Sequence, residues 1–333
     1  MGLRVGFTYD LKSKRPVKEG EPVDINAEFD SEETVNNIAL ALESGGHKVV
    51  RIGGVKNLLS IGDNIRGRVD IVFNICEGYL GRNREAQVPV ILETLNVPFV
   101  GSDGLTLSLT LDKVMTKKVL ISEKIPTPKY FVVNAGNKTY NLDHLRFPLI
   151  AKLRYEGTSK GLTEKSRVDN PKELKAQIGQ LISNYKQSVL VEEFIRGSEF
   201  TVPIIGNDSP EVFPPAQVHI DNNVHLGDQF YTFDFIASDR LGYIYPAKIN
   251  KALEKKICDL ALSTYRAVDC RDFGRVDFRV DDKGNLYVLE INPLPSLAVK
   301  DIFKLVADYK GVHFHKIINR ILDAGIKRYK LNK

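Results

Sequence analysis

Cysteine is scarce in this chain, and long hydrophobic runs are missing. The 333 residues include three cysteines, Cys76, Cys258 and Cys270. They form no Cys-x-x-Cys pair and leave one over from any pairing, so we expect reduced thiols in a cytoplasmic protein. The longest apolar runs, such as 69–73, have the length of a strand and fall far short of a membrane span. The N-terminus enters a predicted strand directly, without the layout of a signal peptide.

Several kinds of chemistry lack their sequence motifs. No GxGxxG or Walker phosphate loop is present, and neither GxSxG nor a Cys/His pair indicates a covalent nucleophile. The six histidines suggest no zinc site, and no basic run interleaved with aromatic residues marks a nucleic-acid surface. A net charge of +5 is mild and fits an enzyme that binds nucleotide phosphates. We therefore expect small-molecule substrates, with neither nucleic acid nor a membrane as partner.

Hydrophobic periodicity predicts a parallel α/β domain at the N-terminus. Apolar positions repeat with helical spacing over 34–44 and a further helix is predicted over 85–96, with short apolar strands around them. Strands that alternate with helices favour a parallel sheet, and ligands of such sheets lie beyond the carboxyl ends of the strands. The predicted strands cover 3–7, 47–52, 69–74 and 98–101.

The remainder of the chain predicts an α+β arrangement with antiparallel pairing. The stretch 218–245 has sparse periodicity and is interpreted as a long irregular excursion, of a length that is usually functional or disordered. We divide the chain into an N-terminal α/β domain (1–108), a central subdomain (109–187) and a C-terminal subdomain (188–333). Beyond the first domain, helices are predicted over 112–123, 171–184 and 251–268, and strands over 129–133, 149–153, 188–194 and 200–205.

The most informative stretch is a predicted β-hairpin between residues 275 and 292. Polar and apolar residues alternate on both sides of a turn that spans either 283–284 or 282–285. In either case Asp277 faces Glu290, and Arg275 faces Asn292 on the same side of the sheet. Two carboxylates and an amide oxygen favour Mg²⁺ or Mn²⁺. The alternative is a surface ion network in which Arg275 and Arg279 neutralise the acids.

Two weaker signals suggest nucleotide binding. Lys152 ends a predicted strand, and the loop after it carries two glycines and two hydroxyls suited to covering a phosphate, although a plain polar loop is the alternative. Further on, an apolar strand runs into acidic residues that offer acceptors to adenine and ribose, unless they are solvated strand-end charges. The loop residues are Gly157, Thr158, Ser159 and Gly161, and the acids are Glu192, Glu193 and Glu199.

The order of these three signals resembles the ATP-grasp superfamily, and the chain as a whole resembles the D-alanine–D-alanine ligase family. The resemblance implies an N-terminal parallel α/β domain followed by a two-subdomain ATP-grasp fold, and a cytoplasmic homodimer. It also implies a ligase that uses ATP to convert a carboxylate to an acyl phosphate, which an amine then attacks to form an amide. The segments that carry the resemblance are 74–78, 97–102, 111–113, 193–201, 274–278 and 290–292.

The resemblance also implies a role for each candidate residue. Lys113 and Lys152 would contact the ATP phosphates, beneath the loop from Gly157 to Gly161. Arg275 would stabilise the transferring phosphoryl group and the later oxyanion, so Arg275 and Lys152 are the catalytic candidates. Adenine would be held by Glu192, Glu193, Phe194 and Ile195, ribose by Glu199, and magnesium by Asp277, Glu290 and Asn292.

The substrate end departs from the family pattern. The family carries a lysine after an aromatic and acidic run, but 231–238 has none, and the family's carboxylate-binding serine corresponds to Asp301. We therefore expect a second substrate other than D-alanine, unless Lys300 or Arg240 replaces the missing group. Two other activities stay open, namely a nucleotide-binding module without turnover and a phosphotransferase that acts on another acceptor. The remaining substrate candidates are Glu32, with Glu28 and Glu33 beside it, Glu77 and Ser296.

Overall fold

The computed structural model describes residues 2–134, 136, 142–236, 238 and 240–331. Three sheets and ten α-helices occupy these ranges. No helix among the described residues is long and apolar enough to span a bilayer.

The first sheet is parallel, as the alternation of strands and helices predicts. Its four strands lie in the order β2-β1-β3-β4. Helix α1 begins where the Ser31 hydroxyl accepts a hydrogen bond from the backbone N–H of Thr34. The elements are β1 (Arg4–Tyr9), α1 (Glu32–Ser44), β2 (Lys48–Arg51), α2 (Val55–Ile61), β3 (Ile71–Ile75), α3 (Gln87–Thr94), β4 (Phe99–Val100) and α4 (Gly104–Leu111).

The second sheet is antiparallel and belongs to the middle of the chain. Its strands lie in the order β5-β8-β6-β7, and α6 packs against β6. Asp112 caps the helix that precedes this sheet and also binds Arg154 in a bidentate ion pair, which fixes the start of that helix beside the end of β6. The elements are α5 (Lys113–Ser122), β5 (Tyr130–Val133), β6 (Leu149–Leu153), β7 (Arg167–Val168), α6 (Pro171–Tyr185) and β8 (Val189–Glu193).

The third sheet carries the predicted hairpin. Its strands follow the order β12-β11-β9-β13-β14, with β10 paired to β9, and α8 packs on one face. The elements are β9 (Ser198–Ile205), β10 (Glu211–Val212), β11 (Ala216–Ile220), α7 (Phe233–Ile236), β12 (Leu241–Ile244), α8 (Lys251–Ala267), β13 (Phe273–Val280), β14 (Leu286–Asn292), α9 (Ile302–Tyr309) and α10 (Phe314–Arg328).

The last helix returns to the first sheet. Buried residues of α10 share one hydrophobic core with β1, β3 and α1. The Arg328 guanidinium donates to the carbonyl of Phe99 at 2.8 Å and to Asp272 at 2.7 Å, which ties the first sheet to the third. The C-terminal helix therefore packs against the N-terminal domain and connects it to the third sheet.

Several predictions about the fold need correction. The stretch 218–245 is not wholly irregular, because β11 and β12 pair along its two ends through partners such as Val218 and Tyr243. The sequence reasoning also missed the short helices α2 and α4. The predicted boundary at 187 stays a prediction; β8, just beyond it, pairs with β5 and β6 of the middle sheet.

Candidate functional site

A single large cavity brings together side chains from all three sheets. Its volume is about 730 Å³, and its walls come from the N-terminal segment, the middle sheet and the hairpin sheet. Most of the residues proposed for nucleotide, metal and substrate line it, whereas Gly161 and Glu32 do not. The predicted residues that line it are Glu77, Lys113, Lys152, Gly157, Thr158, Ser159, Glu192, Glu193, Phe194, Ile195, Glu199, Arg275, Asp277, Glu290, Asn292, Ser296 and Asp301.

The hairpin has the predicted register at its functional end. Asp277 pairs with Glu290 and Arg275 with Asn292, and both pairs line the cavity. The turn differs from both predicted forms: Gly284 has a φ of 80° and donates its N–H to Asp281, in a loop of three residues, 282–284. A bulge that leaves Leu289 without a partner compensates for the odd loop length and restores the facing acids.

The carboxylate of Asp277 is held by two neighbours. The Arg275 guanidinium donates to its oxygens at 3.0 and 2.9 Å, and the hydroxyl of Thr201 donates at 2.5 Å. Thr201 lies directly across from Asp277 on β9, so the pairing of strands places this hydroxyl. Burial and the facing Glu290 raise the pKa of Asp277, against the opposing effect of Arg275.

Glu290 is held by lysine. The ammonium of Lys113 lies 3.1 Å from its carboxylate and also donates to the carbonyl of Glu156 at 2.6 Å. Burial opposes the ionisation of Glu290, but Lys113, Lys152 and Arg275 outweigh it and lower the pKa to about 2. The acid is therefore ionised at neutral pH.

The hairpin oxygens fit a hard divalent cation that is shared with another ligand. Asp277, Glu290 and Asn292 supply two carboxylates and an amide oxygen to the same wall of the cavity. Within the described ranges, no three His, Cys, Asp or Glu side chains meet closely enough to hold a metal ion by themselves. Oxygens of a bound phosphate would have to complete such a site.

A buried carboxylate lies between two lysines beside the hairpin. Glu192 is 1% exposed and forms ion pairs with both Lys152 and Lys117. Burial disfavours its charge, but the two lysines together lower its pKa below the ordinary value. Lys117 is a residue that the sequence reasoning missed, because its role depends on a contact with a strand 75 positions away.

Glu193 and Glu199 are also engaged by protein groups. Glu199 pairs with Arg279 at 3.0 Å, as their facing positions on β9 and β13 allow, and Glu193 accepts the backbone N–H of Arg146 at 3.0 Å. The sequence interpretation had placed Arg279 beside the hairpin acids, and the structure pairs it with Glu199 instead. Phe194 packs edge-on against Phe230 at a centroid distance of 5.7 Å, which gives this end an aromatic wall.

The glycine loop lies closed against the N-terminal segment. The backbone N–H of Gly157 donates to Glu28 at 2.6 Å, and that of Gly161 donates to Asp24 at 2.7 Å. Thr158 and Ser159 have positive φ values of 48° and 52°, so two consecutive residues take the left-handed conformation. Two of the N–H groups proposed to face a phosphate are thus bound to carboxylates of the first domain.

Glu28 has no free acceptor for a substrate amine. Its oxygens accept from Arg84 at 2.7 and 2.8 Å and from Lys160 at 3.0 Å, besides Gly157. Burial raises its pKa, but Arg84 and Lys160 outweigh burial and bring it down to about 2. The pairing of Glu28 with Arg84 and Lys160 was not predicted from the sequence, because a salt bridge between distant segments leaves no local pattern.

The other acids near this end lack such compensation. Burial raises the pKa of Asp30 to about 7, with Asp10 and Asp301 adding to the effect and Lys12 opposing it. Burial and the neighbouring Glu85 raise the pKa of Glu77 well above its ordinary value. Glu32, on the first turn of α1, is exposed and accepts from Ser13 at 3.2 Å.

The segment after the hairpin places the carboxylate of Asp301 in the cavity wall. Of the two cations that could replace the family's carboxylate-binding group, Arg240 is paired outside the cavity. Asp301 caps α9 by accepting from Ile302 at 2.7 Å, and its carboxylate lies 3.9 Å from Arg275. Arg240 is bound to Asp221 at 2.6 Å and does not line the cavity, whereas Lys300 does line it.

Comparisons with known proteins identify relatives of this chain. The family model described as the D-ala D-ala ligase C-terminus matches residues 119–323. An uncharacterised protein of Sinorhizobium fredii is 34% identical over 88% of each chain. A D-alanine–D-alanine ligase of Carboxydothermus hydrogenoformans is 32% identical over 88% of this chain and 93% of that protein.

Solved structures show the same fold along the whole chain. The D-alanine–D-alanine ligase of Bacillus anthracis complexed with ATP has a TM-score of 0.76 and 22% identity, covering 99% of each chain. The VanG D-Ala:D-Ser ligase of Enterococcus faecalis has a TM-score of 0.76 and 20% identity, covering 98% of this chain and 100% of its own. With its family model and its relatives in agreement, the chain belongs to the D-alanine–D-alanine ligase family of ATP-grasp ligases.

Proposed function

We propose that this protein joins a carboxylate to an amine through an acyl phosphate, with ATP and Mg²⁺, and that the amine is not D-alanine. The observation that carries the proposal is the shared cavity. Lysines, a glycine loop and a two-carboxylate hairpin line it together, and the lysines contact the cavity carboxylates Glu290 and Glu192.

The lysine-rich end is suited to the triphosphate. Lys113 contacts Glu290 and Lys152 contacts Glu192, and the cavity wall that holds them also includes Gly157, Thr158 and Ser159. Asp277, Glu290 and Asn292 would hold Mg²⁺, which neutralises phosphate charge when it is bound. Adenine would lie towards Phe194 and Ile195, and ribose towards Glu199.

Both steps of the proposed reaction require that the substrates be positioned and that the developing negative charge be stabilised. A substrate carboxylate oxygen bonds to the γ-phosphorus of ATP while the bond to ADP breaks. The amine next attacks the acyl carbon, loses a proton and expels phosphate. Arg275 lines the cavity beside Asp277, and its fixed positive charge would favour the transferring phosphoryl group and the tetrahedral oxyanion.

The second substrate follows from the charges after the hairpin. A second α-amino acid of the D-alanine type would bring its carboxylate towards Asp301, which lines the cavity after the hairpin. Like charges repel in such a poorly hydrated site. An amine whose far end is neutral or basic avoids this repulsion. Lys300, which precedes Asp301 in the sequence, also lines the cavity. Its positive charge would favour an acidic group on the second substrate.

The test is product analysis. The purified protein is incubated with ATP, Mg²⁺ and pooled amino acids and amines, and ADP release and the masses of new amides are measured. We expect an amide that contains an amine other than D-alanine. A D-alanyl-D-alanine product alone would contradict the substrate assignment. Tight ATP binding without ADP release from any acceptor would contradict the ligase activity.

The assembly and location are proposed on the same basis. We expect a homodimer in the cytoplasm, as the family resemblance implies. Light scattering at several protein concentrations measures the assembly directly, and a constant monomer mass would contradict it.

A further inference from the structure

Lys117 lies one helical turn after Lys113 on α5, and its side chain is 1% exposed. It contacts the carboxylate of Glu192 and donates to the hydroxyl of Thr127 at 2.6 Å. That hydroxyl in turn donates to the carbonyl of Val288 at 2.8 Å. Lys117 does not line the cavity, whereas Glu192 and Lys152 do. Its ion-pair partner Glu192 is therefore its link to the cavity wall.

The three charges do not balance. Glu192 carries one negative charge and contacts two lysines, so the cluster of Lys117, Glu192 and Lys152 has an excess of one positive charge. Lys152 is the member with a cavity-facing, partly exposed side chain, at 13%. If Lys117 were absent, Glu192 would have Lys152 as its remaining lysine contact, and the excess charge would be lost.

Burial makes this arrangement unusual for a lysine without a function. A buried charge is costly unless it is paired, and Lys117 shares its partner with another lysine. Burial lowers the pKa of Lys117, with Glu192 opposing that effect and Lys152 adding to it. A neutral side chain at this position would avoid the crowding of two ammonium groups around one carboxylate.

We propose that Lys117 is a positioning residue that neutralises Glu192 and so leaves the charge of Lys152 free to bind the ATP phosphates. This inference rests on the proposed function, because that function assigns Lys152 to the phosphates. The proposed role of Lys117 differs from a purely structural role in the ligands that it affects. A structural lysine supports every ligand of the cavity equally, whereas a lysine that sets the charge of Lys152 supports only ligands with phosphates.

The experiment compares ATP with adenosine. Calorimetric titration of the full-length protein gives the Kd of each ligand for the wild type, Lys117→Met and the exposed neighbour Lys118→Met as a matched control. We expect Lys117→Met to weaken ATP binding by about tenfold or more and to change adenosine binding by less than about twofold. Lys118→Met should match the wild type, and Lys117→Arg should retain most of the ATP affinity. Equal losses for ATP and adenosine would overturn the proposal.

If Lys117→Met does not fold by itself, the same substitution is tested in a protein that already carries Glu192→Gln. In Glu192→Gln there is no carboxylate to neutralise, so adding Lys117→Met should change ATP binding by less than about threefold. A larger loss in that background would overturn the proposal.

The variant Lys152→Met distinguishes a failure of the proposed phosphate site from a failure of the role proposed for Lys117. If it leaves ATP binding unchanged, the proposed phosphate role of Lys152 fails. If it weakens ATP binding while Lys117→Met does not, only the role of Lys117 fails.

Discussion

The carboxyl groups at the two ends of the cavity have pKa values shifted in opposite directions. At the lysine-rich end, Glu192 and Glu290 each contact lysine, and both have pKa values below their ordinary range. At the substrate end, Asp30 and Glu77 have raised pKa values because burial outweighs their cations, and the same holds for Glu85, which lies outside the cavity lining. In the function proposed above, the first end would bind the phosphates of ATP, and the second end would favour a positively charged substrate group.

Glu28 is the exception that makes the comparison informative. It lies among the acids of the substrate end, yet Arg84 and Lys160 lower its pKa to about 2. Its bond to Gly157 also joins the first domain to the glycine loop. The glycine loop is therefore bound to an acid whose charge Arg84 and Lys160 compensate.

The largest expected effect comes from the hairpin. Asp277→Asn should lower turnover by about a thousandfold or more, because it removes one of two carboxylates proposed to hold Mg²⁺. The control is Asp282→Asn in the exposed turn of the same hairpin, which should leave turnover unchanged. ADP release gives the rates, and circular dichroism verifies the fold. Full activity in Asp277→Asn would show that the hairpin is not the metal site.

Removing the positive charge of Arg84 from the substrate end should lower the free energy of unfolding. Arg84→Met leaves Glu28 with Lys160 as its remaining side-chain cation, and it removes a bond to the carbonyl of Tyr155 at 2.8 Å. We expect a loss of about 3 kcal/mol in the free energy of unfolding, measured with urea at pH 7. Arg82→Met, at an exposed neighbouring position, should change it by less than about 0.5 kcal/mol. Equal effects would contradict the importance of this ion pair.

The uncompensated acids predict a stability that falls as pH rises. Burial raises the pKa of Glu85 to about 7, with Arg84 opposing and Glu28 adding to the effect. Because the folded protein then binds this proton more tightly than the unfolded chain, stability is lost between the ordinary glutamate pKa and about 7.

Glu85→Gln removes that penalty. It should therefore stabilise the protein by about 2 kcal/mol at pH 8 and have little effect near pH 4.5. Urea unfolding at the two pH values measures the difference. An equal effect at both would show that Glu85 does not hold a proton in the folded state.

The loop that joins the two ends gives the smallest effect. Gly161 has a φ of 75°, and a Cβ there would lie 2.9 Å from Cδ1 of Leu153. Gly161→Ala should destabilise the protein by about 1 kcal/mol or slightly more. Gly179→Ala, inside α6 with open space around it, should instead stabilise it by up to about 1 kcal/mol. Thermal unfolding compares the two, and effects of the same sign would contradict the strained conformation of Gly161.

Local patterns predicted much of the architecture. Alternating polarity predicted that Asp277 faces Glu290, and the structure has that pairing even though the turn contains three residues instead of two or four. The prediction survived because the bulge at Leu289 absorbs the difference. Over 218–245 the prediction failed, because β11 and β12 are short and their pairing joins residues that local periodicity does not connect.

The sequence by itself determined the parallel first sheet, the order of the lysine, acidic and hairpin segments, and the register of the hairpin acids. Each depends on the spacing of neighbouring residues or on a short turn, which local propensity controls. Only the tertiary structure decided which charges are paired: Glu28 with Arg84 and Lys160, Glu192 with Lys117 and Lys152, and Glu199 with Arg279. Those contacts join segments far apart in the chain, and the low polarity of the interior then makes each pairing, or its absence, set the charge of the cavity.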